Sequence, residues 1–129
     1  MCKEVTAMCK VNTMSIGNCN FKVADVKRKY MENIVDSARK CDFIKRIILF
    51  GSSIEERCTE ISDIDLAIFG THSRSKALTS KKYERFARQL FLFDNHSQNY
   101  DLLYFKSDTK DKSAILEEIK KGEVVYECE

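Results

Sequence analysis

Hydrophobic positions along this chain follow two periods. Ile47-Ile48-Leu49-Phe50 is an unbroken apolar run of strand length, a second strand opens at Asp63-Ile64-Asp65, and Tyr100 to Phe105 is a third, with Asp101, Leu103 and Phe105 on one face. Between Phe21 and Asp42, by contrast, Val23, Val26, Tyr30, Ile34, Ala38 and Cys41 recur every three or four residues. That spacing predicts one long helix with a single apolar stripe. Tyr83, Phe86, Ala87 and Leu90 predict a second helix over 79–91, and Ile115, Leu116 and Ile119 a third over 113–121, closed by Gly122 as a C-terminal cap. Val124-Val125-Tyr126 reads as a short terminal strand. Thr71 to Ser80 and Asp94 to Asn99 read as loops, and Lys106 to Lys112 as a charged turn. The expected fold is α/β (α+β), a mixed sheet of three to four strands packed with helices. Residues 1–20 show no clear period and are expected to form an N-terminal arm or edge element, with 21–129 as the functional domain.

Composition narrows the class without naming it. Hydrophobic residues make up 43% and charged residues 33% of the 129-residue chain, as in ordinary soluble domains. A domain of this size buries about two-thirds of its unfolded surface and folds without covalent staples. No apolar run approaches the roughly 20 residues of a membrane span, and the N-terminal segment lacks the apolar core of a secretory signal. A cytoplasmic location and no membrane partner are therefore expected. With 22 basic and 20 acidic residues and a net charge of +2, the balance is too even to call for a nucleic-acid partner. Cys2, Cys9, Cys19, Cys41, Cys58 and Cys128 form no Cys-x-x-Cys pair and are expected as reduced thiols. His72 and His96 fall in loops and read as solvent-facing, and Lys81, Lys82, Arg85 and Arg88 as a solvated helix face.

Candidate chemistry concentrates between Ile47 and Gly70. A Gly51-Ser52 turn stands between a strand and a short helix, where free backbone N–H groups, a residue without a side chain and a hydroxyl can seat phosphate. Ser52 with Glu55, and Ser53 with Glu56, each fit a capping box. We assign Ser52 to phosphate and Ser53 to capping. Asp63 and Asp65 flank Ile64, so on a strand they share a face, roughly 6.6 Å apart along it. Their oxygens can then converge on one divalent-metal cluster. Asp101 stands at the mouth of the next strand.

Gly51-Ser52, ten intervening residues and Asp63-Ile64-Asp65 together resemble the signature of the DNA polymerase beta nucleotidyltransferase superfamily. The chain is most similar to its smallest members, the minimal nucleotidyltransferases, over roughly Val23 to Tyr126. The resemblance implies a polymerase-beta-type fold, with Asp63, Asp65 and Asp101 as ligands for two Mg²⁺ ions and Asp101 also taking up the proton of the attacking hydroxyl. It implies ATP or another nucleoside triphosphate as substrate, cradled around Gly51, Ser52, Ser53 and Arg57. The reaction implied is transfer of a nucleoside monophosphate to a hydroxyl with release of pyrophosphate. Where relatives follow Gly-Ser with a small residue, an Arg and a Gly, this chain reads Ser53-Ile54-Glu55-Glu56-Arg57. Two acids arrive early and would repel a triphosphate, while Arg57 can take the basic role only from a shifted position.

Free-standing minimal nucleotidyltransferases resemble antitoxins, and that likeness implies a HEPN-type ribonuclease toxin as partner, with AMP placed on its tyrosine. Two alternatives stand beside it. One is nucleotidyl transfer to a small molecule such as an aminoglycoside, with self-association building the acceptor pocket. The other is a binding module of the same fold that neutralises its partner by contact.

Overall fold

Four strands form the central sheet: β3 (Ile44–Phe50), β4 (Ile64–Gly70), β5 (Tyr100–Lys106) and β6 (Glu123–Glu127), in the order β5-β4-β3-β6. In the computed structural model of the chain, residues 9–110 and 113–128 are described. β3 is antiparallel to both β4 and β6, whereas β4 and β5 run parallel. A parallel pair needs a crossover, and α2 (Arg74–Leu78) with α3 (Lys81–Leu92) supplies it. The sheet is therefore mixed, as expected.

One face of the sheet carries the main core. Helix α1 (Arg28–Arg39) buries Tyr30, Met31, Ile34, Val35 and Ala38, and α3 buries Tyr83, Phe86 and Leu90. These meet Ile47 and Leu49 of β3 and Ile64, Leu66 and Ile68 of β4. The opposite face is thinner. Phe50 and Ala67 are buried there under Leu116 and Ile119 of α4 (Ala114–Lys120), while Ile48, Phe69, Leu103 and Phe105 stay partly open. Exposing one face in this way is permitted to a sheet that is only partly parallel.

The long helix predicted from Phe21 is corrected by the structure. Cys19–Ala24 is a strand, β2, paired antiparallel with β1 (Val11–Ile16), and the helix starts only at Arg28 after a 3-10 turn at Asp25–Lys27. Phe21 and Val23 are buried with exposed Lys22 between them, which is the period of a strand. Val23 and Val26 fall on helical spacing with Tyr30 only by coincidence. The hairpin lies against β6, and the backbone N–H of Lys22 donates to Glu123 Oε1 at 2.8 Å.

Smaller expectations also shift. The loop expected over Thr71 to Ser80 contains α2, whose first turn is capped by Ser73 Oγ accepting from the Lys76 N–H. Gly122 is not a left-handed helix cap. It is required because a Cβ there would sit 2.5 Å from the Leu49 carbonyl oxygen, where β6 joins β3. Ile115, expected on the apolar face of α4, is 42% exposed. His72 is half-buried and stacked on Phe43 with ring centroids 4.2 Å apart, whereas His96 is exposed as expected. Among the described residues, Cys9, Cys19, Cys41, Cys58 and Cys128 form no disulfide. Cys2, the first eight residues of the expected arm and the end of the charged turn at Lys112 lie outside the described residues, while the rest of the arm forms β1 and the start of β2. No helix among the described residues is long and apolar enough to cross a membrane.

Candidate active site

Strand register decides which acids meet. In the parallel pair, Asp65 of β4 stands opposite Asp101 of β5, followed on the same face by Ala67 opposite Leu103 and Phe69 opposite Phe105. Neighbouring strands lie about 4.8 Å apart, so the two carboxylates project side by side. In the antiparallel pair on the other side, Phe50 stands opposite Asp65, which delivers the end of β3 to the same place. Gly51 therefore follows directly beside Asp65. Its φ of 75° is a left-handed conformation suited to glycine, and a Cβ at this position would collide with Asp65 Oδ2.

Asp63 lies just outside β4 and is exposed, as is Asp101, whereas Asp65 is half-buried. Ile64 between the two acids is fully buried in the main core, so Asp65 is directed to the opposite, thinly covered face. Burial pushes the Asp65 carboxyl above the usual carboxylate range, and the charges of Asp101 and Asp63 push it further. Arg57 partly opposes them. Asp65 is thus the carboxylate on which the charges of the other two acids bear.

The turn itself differs from the expected cap. Gly51–Ile54 is a single 3-10 turn whose N-cap is Phe50, and no side chain caps it. Neither capping box forms. Ser53 is fully buried, and its Oγ has no hydrogen-bond partner. Ser52 is half-buried, and its hydroxyl lies beside the Cys58 thiol, whose pKa burial raises. Glu55 and Glu56 are exposed, and Glu55 is ion-paired with the Arg57 guanidinium. The late basic residue is therefore already partnered by one of the early acids.

Whether the acids suit a divalent cation follows from their chemistry. Three carboxylates offer only hard oxygen donors, and their mutual repulsion is what a cation would relieve. Among the described residues, no three His, Cys, Asp or Glu side chains are gathered closely enough to hold a metal ion as they stand. Asp63 and Asp101 are both exposed, with no packing among the described residues that holds their side chains toward or away from Asp65.

Two residues passed over in the sequence border this site from behind. Lys27 and Gln98 are both buried and hydrogen-bonded to each other. Within Asp25-Val26-Lys27-Arg28-Lys29, nothing local marks Lys27 for burial.

Residues 32–129 match a protein family described as Polymerase beta, Nucleotidyltransferase. No curated protein matches the chain.

Proposed function

Because the chain belongs to the polymerase beta nucleotidyltransferase family, we propose that it transfers AMP from ATP to a hydroxyl on a partner protein, a HEPN-type toxin. The observation that carries this reading is the pairing of Asp65 with Asp101 beside Gly51 at one end of the sheet. Mg²⁺ ions bound by Asp63, Asp65 and Asp101 would neutralise phosphate charge and lower the pKa of the attacking hydroxyl. The backbone N–H groups of Gly51 and Ser52 hold the β and γ phosphates, so that the α phosphorus faces the acceptor. Arg57, once released from Glu55, completes the phosphate side of the site, while Ser53 is buried within the turn. The acceptor oxygen forms a bond to the α phosphorus while the bond to the bridging oxygen breaks. Its proton passes to the Asp101 carboxylate, and pyrophosphate leaves with the electron pair.

The ion pair between Glu55 and Arg57 favours one other reading, a binding module that neutralises its partner by contact and leaves the nucleotide site idle. One experiment separates the two. The protein is incubated with α-labelled ATP, Mg²⁺ and the product of the adjacent gene, beside an Asp63→Ala, Asp65→Ala double variant. Label on the partner that disappears with the double variant supports transfer. Neutralisation that survives the double substitution, with no label in either sample, overturns transfer in favour of contact.

A further inference from the structure

Lys27 is the most unusual side chain in the described part of the molecule, a lysine with no exposed surface at all. Its Nζ donates to the carbonyl oxygens of Glu60 at 3.0 Å and Ser62 at 2.6 Å, and to Gln98 Oε1 at 2.6 Å. An ammonium has three protons, and all three are used. Gln98, only 3% exposed, turns its own amide outward to the same backbone. Its Nε2 donates to the Ser62 carbonyl at 2.9 Å and the Asn99 carbonyl at 2.7 Å. Because Oε1 must accept from Lys27, the orientation of the carboxamide is fixed.

The acceptors are what give this cluster its meaning. Ser62 is the residue before Asp63, and Asn99 lies two residues before Asp101. The two lead-in segments are also joined directly, since the Ile64 N–H donates to the Asn99 carbonyl at 3.0 Å. One charged group and one amide therefore tie together the backbones that launch two of the three site acids. An outer brace continues from α1: Lys29 Nζ lies 2.9 Å from Asp94 Oδ2, Ser97 Oγ donates to the same oxygen at 2.8 Å, and the Tyr30 hydroxyl lies 3.1 Å from Ser97 Oγ. That brace holds the turn leading into Gln98.

Taking an ammonium fully out of water is expensive, and neutral carbonyls recover less of the cost than a carboxylate would. A purely apolar plug would fill the same space with less penalty. We propose that Lys27 and Gln98 are positioning residues, a buried clamp that fixes the lead-ins of β4 and β5 so that Asp63 and Asp101 can close on a divalent cation with Asp65. The inference rests on the nucleotidyl-transfer reading of the acids. It adds that their metal affinity depends on two residues that do not belong to the acid cluster. Separately from the geometry, burial draws the Lys27 pKa down, and Cys58, Asp63 and Glu60 oppose that shift only in part.

The test uses the full chain as wild type, Gln98→Leu and Lys27→Met, with Mn²⁺ alone as the probe. Free Mn²⁺ is followed by electron paramagnetic resonance, and Tm is measured in EDTA. The clamp predicts Mn²⁺ affinity weakened by roughly 10-fold or more in each folded variant. In the labelling assay it predicts a higher Mg²⁺ requirement, with KM for ATP within about twofold of wild type. A merely structural role would lower Tm and leave Mn²⁺ affinity unchanged. Should Lys27→Met fail to fold, Gln98→Leu decides alone. Unchanged Mn²⁺ affinity in folded Gln98→Leu overturns the clamp while leaving the catalytic reading in place. A wild type that binds no Mn²⁺ overturns both.

Discussion

Gly51 combines two demands at one position, a left-handed φ of 75° and the absence of any atom where Asp65 Oδ2 stands. Gly51→Ala meets both at once. It should lose about 1–3 kcal/mol of stability in denaturant unfolding, and it should depress nucleotidyl transfer further because the displaced carboxylate is a site acid. Glu55 offers the opposite kind of change. Its ion pair with Arg57 is exposed and worth no more than about 1 kcal/mol, yet it occupies the guanidinium that follows the turn. Glu55→Gln should free Arg57 and lower KM for ATP by up to about fivefold, with kcat and Tm nearly unchanged. What the sequence revealed about these residues follows from where their partners lie. The placement of Gly51, Ser52, Asp63 and Asp65 at the end of β3 and the start of β4 was legible because one short stretch of chain holds them all at spacings set by strand and turn geometry. The environment of Ser53 was not, since the turn packs against β2 of the hairpin, far off in the sequence, and the expected cap is absent. Lys27 and Gln98 stand 71 residues apart, and no local pattern joins them.

Among the elements, α3 ends in a way its sequence does not advertise. Asp94, Asn95 and His96 all have positive φ, at 57°, 57° and 62°, with no glycine among them. Each non-glycine residue in this region costs about 1 kcal/mol or more. Asp94 is held by Lys29 and Ser97, whereas the exposed His96 has no comparable anchor among the described residues. His96→Gly should therefore raise stability by about 0.5–1 kcal/mol, a gain partly offset by the greater freedom glycine has in the unfolded chain. Thermal unfolding checks it, and a lower Tm would mean the imidazole makes a contact that matters. Element types were readable wherever period and length agreed, as in β3, α3 and β5. The hairpin was missed because Val23, Val26 and Tyr30 mimic a helical stripe across a strand, a turn and a helix start. Short α2 was missed because five residues carry too little periodicity to stand out from a polar loop.

At the scale of the whole molecule, the site is built against the stability of the fold. Asp65 is half-buried beside two other acids, and its folded-state pKa lies above the unfolded value because of burial first and the charges of Asp101 and Asp63 second. The folded state therefore holds this proton more tightly than the unfolded chain does. The resulting stability is fully present below the unfolded carboxylate pKa, about 3.9, and is lost as pH rises through the folded one. At neutral pH in EDTA, then, the ionised acid works against folding. Asp65→Asn removes the charge while keeping the shape, so it should unfold at a higher temperature than wild type in EDTA at pH 7. That advantage should shrink as pH falls below the carboxylate range. If the proposed site binds divalent cation, the order should reverse. Magnesium at a hundredfold excess over its dissociation constant stabilises a binding-competent fold by about 2.7 kcal/mol, and only the wild type retains the full acid set to collect it. Differential scanning calorimetry across pH, with and without Mg²⁺, reads both effects together. An Asp65→Asn protein that is less stable than wild type in EDTA at pH 7 would show that the carboxylate contributes to the fold itself. The three acids would then be explained by structure, with no need of a cation to reconcile them.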